Sequence, residues 1–267
     1  MPIGNNLMEN TAFSSPLMDW DFIASGNDIP LNGLIERYKL AGVVGQQAWS
    51  NAAPYARSAQ NGSAAGVDTN DATIASNGAT FGADDYILKD SIGSLLNGSP
   101  IITVIIPFKQ PASVTPVLYL YLSRIAAGAE NGIEIWTGST LTSMRCKIKS
   151  ATGDTAATYT SPANFAAGSW ALAAFEIDYA GASTKVQHYK NGVYVETSGS
   201  LALTASAYTS AYSTALMDQI SYSSFPINGG IIFETAVYNR ALSASEHAQI
   251  AAYYSSMLKS LGESIPW

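Results

Sequence analysis

The sequence predicts an all-β protein: an antiparallel two-layered sandwich with one helix at its C-terminal end. Three stretches carry that prediction. Two β-rich runs flank Asn191-Gly192, the dipeptide that supplies φ > 0 at both centres of a type I′ turn, so residues 184–197 read as a hairpin. Residues 117–122, 132–136 and 144–149 each alternate with the period of two that sends successive side chains to opposite faces of a sheet. At the far end, Ser243 and Glu246 have the spacing of a capping box. Beyond them Ile250, Tyr254, Met257, Leu258 and Leu261 recur at helical spacing, and Gly262 and Pro266 close the segment.

Taken in order, residues 1–16 are polar, carry Pro2 and Pro16, and read as an N-terminal arm; residues 17–267 read as one domain. Phe13, Leu17, Met18, Trp20, Phe22 and Ile23 form the first apolar cluster, which predicts an opening strand over 18–23. From 25 to 73 the chain is rich in Gly, Asn, Ala and Ser, and 31–40 reads as a short helix or an irregular excursion. Residues 101–108 are nearly all apolar, as in a strand buried on both faces. Pro107 and Pro111 argue for an edge or an exit, because proline lacks the ladder N–H. Residues 150–168 read as a Thr/Ala/Gly loop leading to a strand opened by Trp170, and 231–238 as a closing strand after Gly229-Gly230.

Composition narrows the function classes. Of 267 residues only 12% are charged, about half the usual share, so the polar surface must come from Ser, Thr, Asn, Gln and backbone. Such surfaces suit extracellular or virion proteins. Net charge is −7 with no contiguous Lys/Arg block, which argues against a nucleic-acid partner. The single cysteine, Cys146, excludes an intrachain disulfide and reads as a small buried apolar residue. Residues 1–6 lack the basic and apolar regions of a secretory signal, and no run of about 18 apolar residues is present for membrane insertion. The expectation is therefore a particle that leaves its host by lysis.

Four groups of residues carry a family resemblance. They are Trp170 with the hairpin His188-Tyr189-Lys190-Asn191-Gly192, Trp49-Ser50-Asn51, the run Phe81-Gly82-Ala83-Asp84-Asp85-Tyr86, and Tyr238-Asn239-Arg240-Ala241-Leu242-Ser243 with Glu246. In these the chain resembles the laminin-G-like, concanavalin A-like lectin and glucanase superfamily, over about residues 18–261. His188 stands where that family usually has an apolar residue. The resemblance implies a concanavalin A-like jelly roll whose opening strand lies beside the C-terminal one. It also implies a glycan-binding or adhesion role, and calcium as a candidate cofactor at the sandwich rim.

Tyr119, Tyr121 and Trp136 alternate away from an aliphatic set, with Glu134 and Arg145 beside them. Aromatic faces stack on pyranose rings and charged groups fix hydroxyls, so these five form the carbohydrate-binding candidate. Lys147 and Lys149 share their face. Asp84 and Asp85 offer oxygen ligands to calcium or cap a turn. Glu176-Ile177-Asp178 begins like a glucanase motif, but Tyr179-Ala180-Gly181 follows where the second acid belongs, and one carboxylate cannot serve as both acid and nucleophile. His188 and Tyr189 cannot converge as base and acid, because strand neighbours face opposite ways. His247 reads as structural. The expectation is a non-catalytic module on a bacteriophage fibre, spike or tail surface. Its partners would be host cell-surface polysaccharide, other virion proteins and further copies of itself. A structural decoration or assembly protein and a polysaccharide-cleaving enzyme are the alternatives.

Overall fold

A computed structural model of the chain describes residues 28–50, 58–62, 71–82, 85–89, 99–112, 119–124, 132–137, 143–149, 156–161, 165–178, 184–199, 201, 217–220 and 229–267. The expected arm (1–16) and opening strand (18–23) lie outside them. In chain order the elements are β1 (Leu34–Lys39), β2 (Ala48–Ser50), β3 (Ser58–Asn61), β4 (Thr73–Ala75), β5 (Gly78–Phe81), β6 (Ile87–Lys89), β7 (Ile101–Lys109), β8 (Tyr119–Arg124) and β9 (Gly132–Thr137). They continue with β10 (Met144–Lys149), β11 (Ala156–Ser161), β12 (Trp170–Asp178), β13 (Lys185–Lys190), β14 (Val193–Thr197), β15 (Met217–Ile220), β16 (Gly230–Ile232), β17 (Glu234–Tyr238) and the helix α1 (Ala244–Ser260).

The strands form two antiparallel sheets. One has nine strands in the order β14-β13-β12-β7-β16-β5-β4, with β17 pairing β7 and β1 pairing β17. The other has eight, β11-β10-β9-β8-β15-β6-β3-β2. Alternation along β12 explains why the nine-stranded sheet is apolar on both faces. Ala171, Ala173, Phe175 and Ile177 enter the core between the sheets, whereas Trp170, Leu172 and Ala174 join a second core beneath α1. The molecule is thus layered as sheet, sheet and helix.

The helix begins at Ala244 as the sequence predicts. Ser243 Oγ accepts from the Glu246 N–H, and the Glu246 side chain accepts from the Ser243 N–H. Ile250, Tyr254 and Leu258 are buried against the sheet, while Leu261, at the C-cap, is exposed. The preceding motif acts as a clasp. Both guanidinium Nη atoms of Arg240 donate to Glu246, at 3.0 and 2.6 Å, and its Nε donates to the carbonyl of Asn32 in the turn before β1.

Three expectations change. The segment 31–40 is no helix: β1 lies beside the closing strand, in the place the family resemblance gives to the opening strand. Its LIERYK sequence pairs Arg37 with Glu234 and Asp28 at 2.6 and 2.9 Å, so polar residues that broke the strand pattern are buried in an ion cluster with Tyr253. Next, β7 is central rather than an edge. Its register with the strand beside it slips by one residue across Pro107, from Ile232↔Phe108 to Ala236↔Ile105, and the Phe233 N–H donates to the Pro107 carbonyl. A bulge that splits the expected closing strand into β16 and β17 thereby absorbs the missing N–H. Finally, the loop expected over 150–168 contains β11, an edge strand with Tyr159 and Ser161 buried.

Candidate functional site

The two sheets differ in what lies on their outer faces. On the nine-stranded sheet α1 and the C-terminal tail cover the outward side chains: Glu263 accepts from Trp170 Nε1 at 2.8 Å, Lys109 Nζ at 3.0 Å and Asn77 Nδ2 at 2.6 Å. Those three donors hold its carboxyl below the ordinary range although burial alone would raise it. On the eight-stranded sheet no described helix or strand packs over the outer side. That face is where the sequence places its binding candidates.

Cross-strand register fixes the rows of this face. Arg145 on β10 lies opposite Trp136 on β9 and Thr160 on β11, and Trp136 lies opposite Tyr119 on β8. In the neighbouring row Lys147 sits between Glu134 and Thr158, and Glu134 lies opposite Leu122. The inward set, Ile133, Ile135, Met144, Cys146, Ile148 and Tyr159, belongs to the core between the sheets. Alternation then assigns Glu134, Trp136, Arg145, Lys147 and Thr160 to the outer side.

Two features depart from the open aromatic tray that the sequence suggests. Trp136 is only 9% exposed and Glu134 only 6%, so both form a floor, while Arg145 and Thr160 are exposed and Lys147 is half-buried. A register shift between Tyr119 and Tyr121 also leaves Tyr119 in the Trp136 row but sets Tyr121 opposite Ile135. Period two on β8 missed this bulge, which no residue type in the run signals. Thr158 and Thr160 are absent from the sequence candidates because the composition of 150–168 predicts a loop there. The signal was there in the alternation of Ala157, Tyr159 and Ser161 against two threonines.

The remaining candidates fall elsewhere. Asp84 lies outside the described residues. Asp85 Oδ2 accepts from the Gly82 N–H at 2.7 Å, the turn-capping geometry, and no cluster of three or more metal-ligating side chains occurs among the described residues. Glu176 is 4% exposed on the helix side of β12. There its Oε1 accepts from Gln187 and its Oε2 from the Leu242 N–H, and burial raises its pKa. His188 faces the inter-sheet core, stacked on Phe175 at 4.6 Å with Nδ1 2.6 Å from Ser161 Oγ, and burial pushes its pKa down to about 3. Tyr189 points the other way and stacks on His247 at 3.7 Å, so the two never converge. His247 is itself buried in the first turn of α1, with its pKa lowered to about 4 by burial. Cys146 is buried between the sheets, which pushes its thiol up.

A family model described as Laminin_G_3, concanavalin A-like lectin/glucanases superfamily, matches residues 109–247. The chain belongs to this superfamily. The matched span runs from the end of β7 to the first turn of α1 and includes every strand that builds the rows above. Among solved structures the fold is similar to that of botulinum neurotoxin type C (TM-score 0.56, 9% identity, covering 85% of this chain and 52% of that one), studied for cell entry dependent upon two ganglioside molecules. It is also similar to Trypanosoma rangeli sialidase in complex with 2,3-difluorosialic acid (TM-score 0.56, 12% identity, covering 86% and 34%). The binding domain of botulinum neurotoxin D/C matches at TM-score 0.53 and 9% identity, covering 85% and 53%. This chain spans about half the length of the neurotoxin chains and a third of the sialidase. At such identities the likeness is one of fold. No curated relative matches the sequence.

Proposed function

We propose that this superfamily member is a non-catalytic carbohydrate-binding module, and that the outer face of the eight-stranded sheet is where glycan is held. One observation carries the reading: the helix occupies one outer face of the sandwich, while the opposite face presents rows of Thr, Arg, Trp, Glu and Lys. Exposed Arg145 and Thr160 supply donors for sugar hydroxyls over the apolar floor of Trp136, with Glu134 and Lys147 beside it and Tyr119 completing the row. Tyr121, opposite Ile135 on β9, stands outside that row. The fold analogy to a neurotoxin that depends on gangliosides agrees with this use of the sandwich, as analogy alone.

The engagement of Glu176 by Leu242 and Gln187, and the burial of His188, support a module without turnover. The proposed setting is the surface of a bacteriophage fibre, spike or tail. It rests on the low charge content alone, and copurification with intact virions at a defined copy number tests it. Burial of Trp136 favours a second reading, a structural block whose outer sheet face is covered in an assembly. A polysaccharide array separates the two. Retention on at least one glycan, weakened at least about three-fold by Arg145→Ala in a folded protein, supports the module; no retention on any glycan supports the block.

A further inference from the structure

The chain carries 13 Lys and Arg against 20 Asp and Glu, yet three of those 13 cations sit on the six-residue strand β10. Because Met144, Cys146 and Ile148 are buried between the sheets, alternation sets Arg145 and Lys147 on the outer face. Successive cations on such a strand are spaced by about 7 Å, two residues of rise. The flanking strand β11 contributes no carboxylate to these rows: Thr160, Thr158 and Ala156 lie opposite the three cations. On the other side, Trp136 lies opposite Arg145 and Glu134 opposite Lys147. A fourth cation, Arg124 on β8, lies opposite Gly132 at the end of β9. Among the described residues these rows therefore carry Arg145 and Lys147 with the single carboxylate of Glu134, on a chain whose net charge is −7. Exposed Arg145 makes no ion pair with any described residue.

Resting on the carbohydrate-binding reading above, we propose that the ligand of this face is an anionic glycan, whose carboxylate or sulfate groups pair with the cation rail of β10. Screening over about 8 Å at physiological salt means that an approaching chain feels this rail rather than the distant acidic surface. Arg145 presents a planar fork that matches a carboxylate or sulfate through two parallel hydrogen bonds, and Lys147 adds a point charge one row along. The threonines of β11 are left to meet hydroxyls.

The test measures dissociation constants of the purified chain for three groups of polymers: neutral (dextran, laminarin, galactomannan), anionic (polygalacturonate, alginate, chondroitin sulfate), and non-sugar polyanions (poly-L-glutamate, single-stranded DNA). We expect at least one anionic polysaccharide to bind about 10-fold or more tightly than every neutral one, and to weaken steeply between about 0.05 and about 0.5 M salt. Polygalacturonate against chondroitin sulfate separates carboxylate from sulfate recognition. Arg145→Ala and Lys147→Ala should each weaken that binding by about three-fold or more, Arg145→Glu by more than Arg145→Ala, and Arg145→Lys least. Arg145 is exposed, so its variants keep the fold, and unchanged circular dichroism verifies this. Equal or tighter binding of a neutral glycan overturns this inference and leaves the carbohydrate reading standing. Binding to no polysaccharide overturns both. Equal binding of poly-L-glutamate or DNA shows charge capture without sugar recognition and overturns the glycan as ligand.

Discussion

His188 is the residue whose chemistry least fits its surroundings. Its ring is fully buried and parallel to Phe175. Burial, and then the nearby Lys190 charge, hold the folded imidazole neutral down to about pH 3, whereas the unfolded chain takes up its proton near the ordinary value of about 6.5. The unfolded state therefore binds the extra proton as pH falls through that window, and stability drops with it. His247, lowered to about 4, acts in the same direction. Between pH 7 and pH 5 the His188 contribution amounts to at most about 2 kcal/mol. His188→Leu should lose about 1 kcal/mol at pH 7, because Ser161 Oγ is left without its partner, yet should fall off less between pH 7 and pH 5 in urea titrations. Parallel losses in both proteins would refute this role. Gly192 makes a second residue-scale prediction. It has φ +80°, and a Cβ there would lie 2.6 Å from Ala251 Cβ and 2.8 Å from the His247 carbonyl oxygen, where α1 crosses the hairpin turn. Gly229, at φ +83°, has open space around it. Gly192→Ala should thus cost about 2 kcal/mol or more and Gly229→Ala about 1, so that equal costs would remove the helix contact from the account.

At the scale of elements, the helix stands on its cap. Ser243→Ala removes the acceptor of the Glu246 N–H and should cost about 1 kcal/mol in thermal or urea unfolding. The Arg240 guanidinium holds the Glu246 carboxyl well below its ordinary range, so this part of the cap persists above the unfolded carboxyl pKa and is lost only under strong acid. The helix, the Asn191-Gly192 hairpin and the Trp170 strand were legible because each rests on local chemistry: a cap pair, a turn dipeptide and an uninterrupted apolar run. What escaped was set by partners far away in sequence. LIERYK reads as a poor strand until Glu234 and Asp28 neutralise Arg37 across the fold. Pro107 reads as an edge until a bulge in the adjoining strand receives it. The site shows the same division. Alternation on β9 and β10 placed Glu134, Trp136 and Arg145 correctly on one face, but the bulge in β8 and the burial of Trp136 depend on neighbours that the local pattern does not contain.

For the whole molecule, the asymmetry between the two outer faces organises the functional account. One is closed by α1 and the Glu263 clasp, and the other carries the cation rail above buried Trp136. A purified chain of this design should release no reducing ends from β-glucans and no unsaturated products from alginate. Glu176→Gln should change unfolding rather than any turnover, since its carboxylate serves the Leu242 N–H. Activity above a blank that disappears in Glu176→Gln would overturn the non-catalytic reading. The most direct test of the binding face compares two charge reversals on opposite sides of the sandwich, Arg145→Glu on β10 and Lys259→Glu in the exposed last turn of α1. The account predicts that the dissociation constant for the glycan held most tightly by the unmodified chain rises about 10-fold or more in Arg145→Glu and stays within about two-fold in Lys259→Glu. Unchanged binding in folded Arg145→Glu would contradict it.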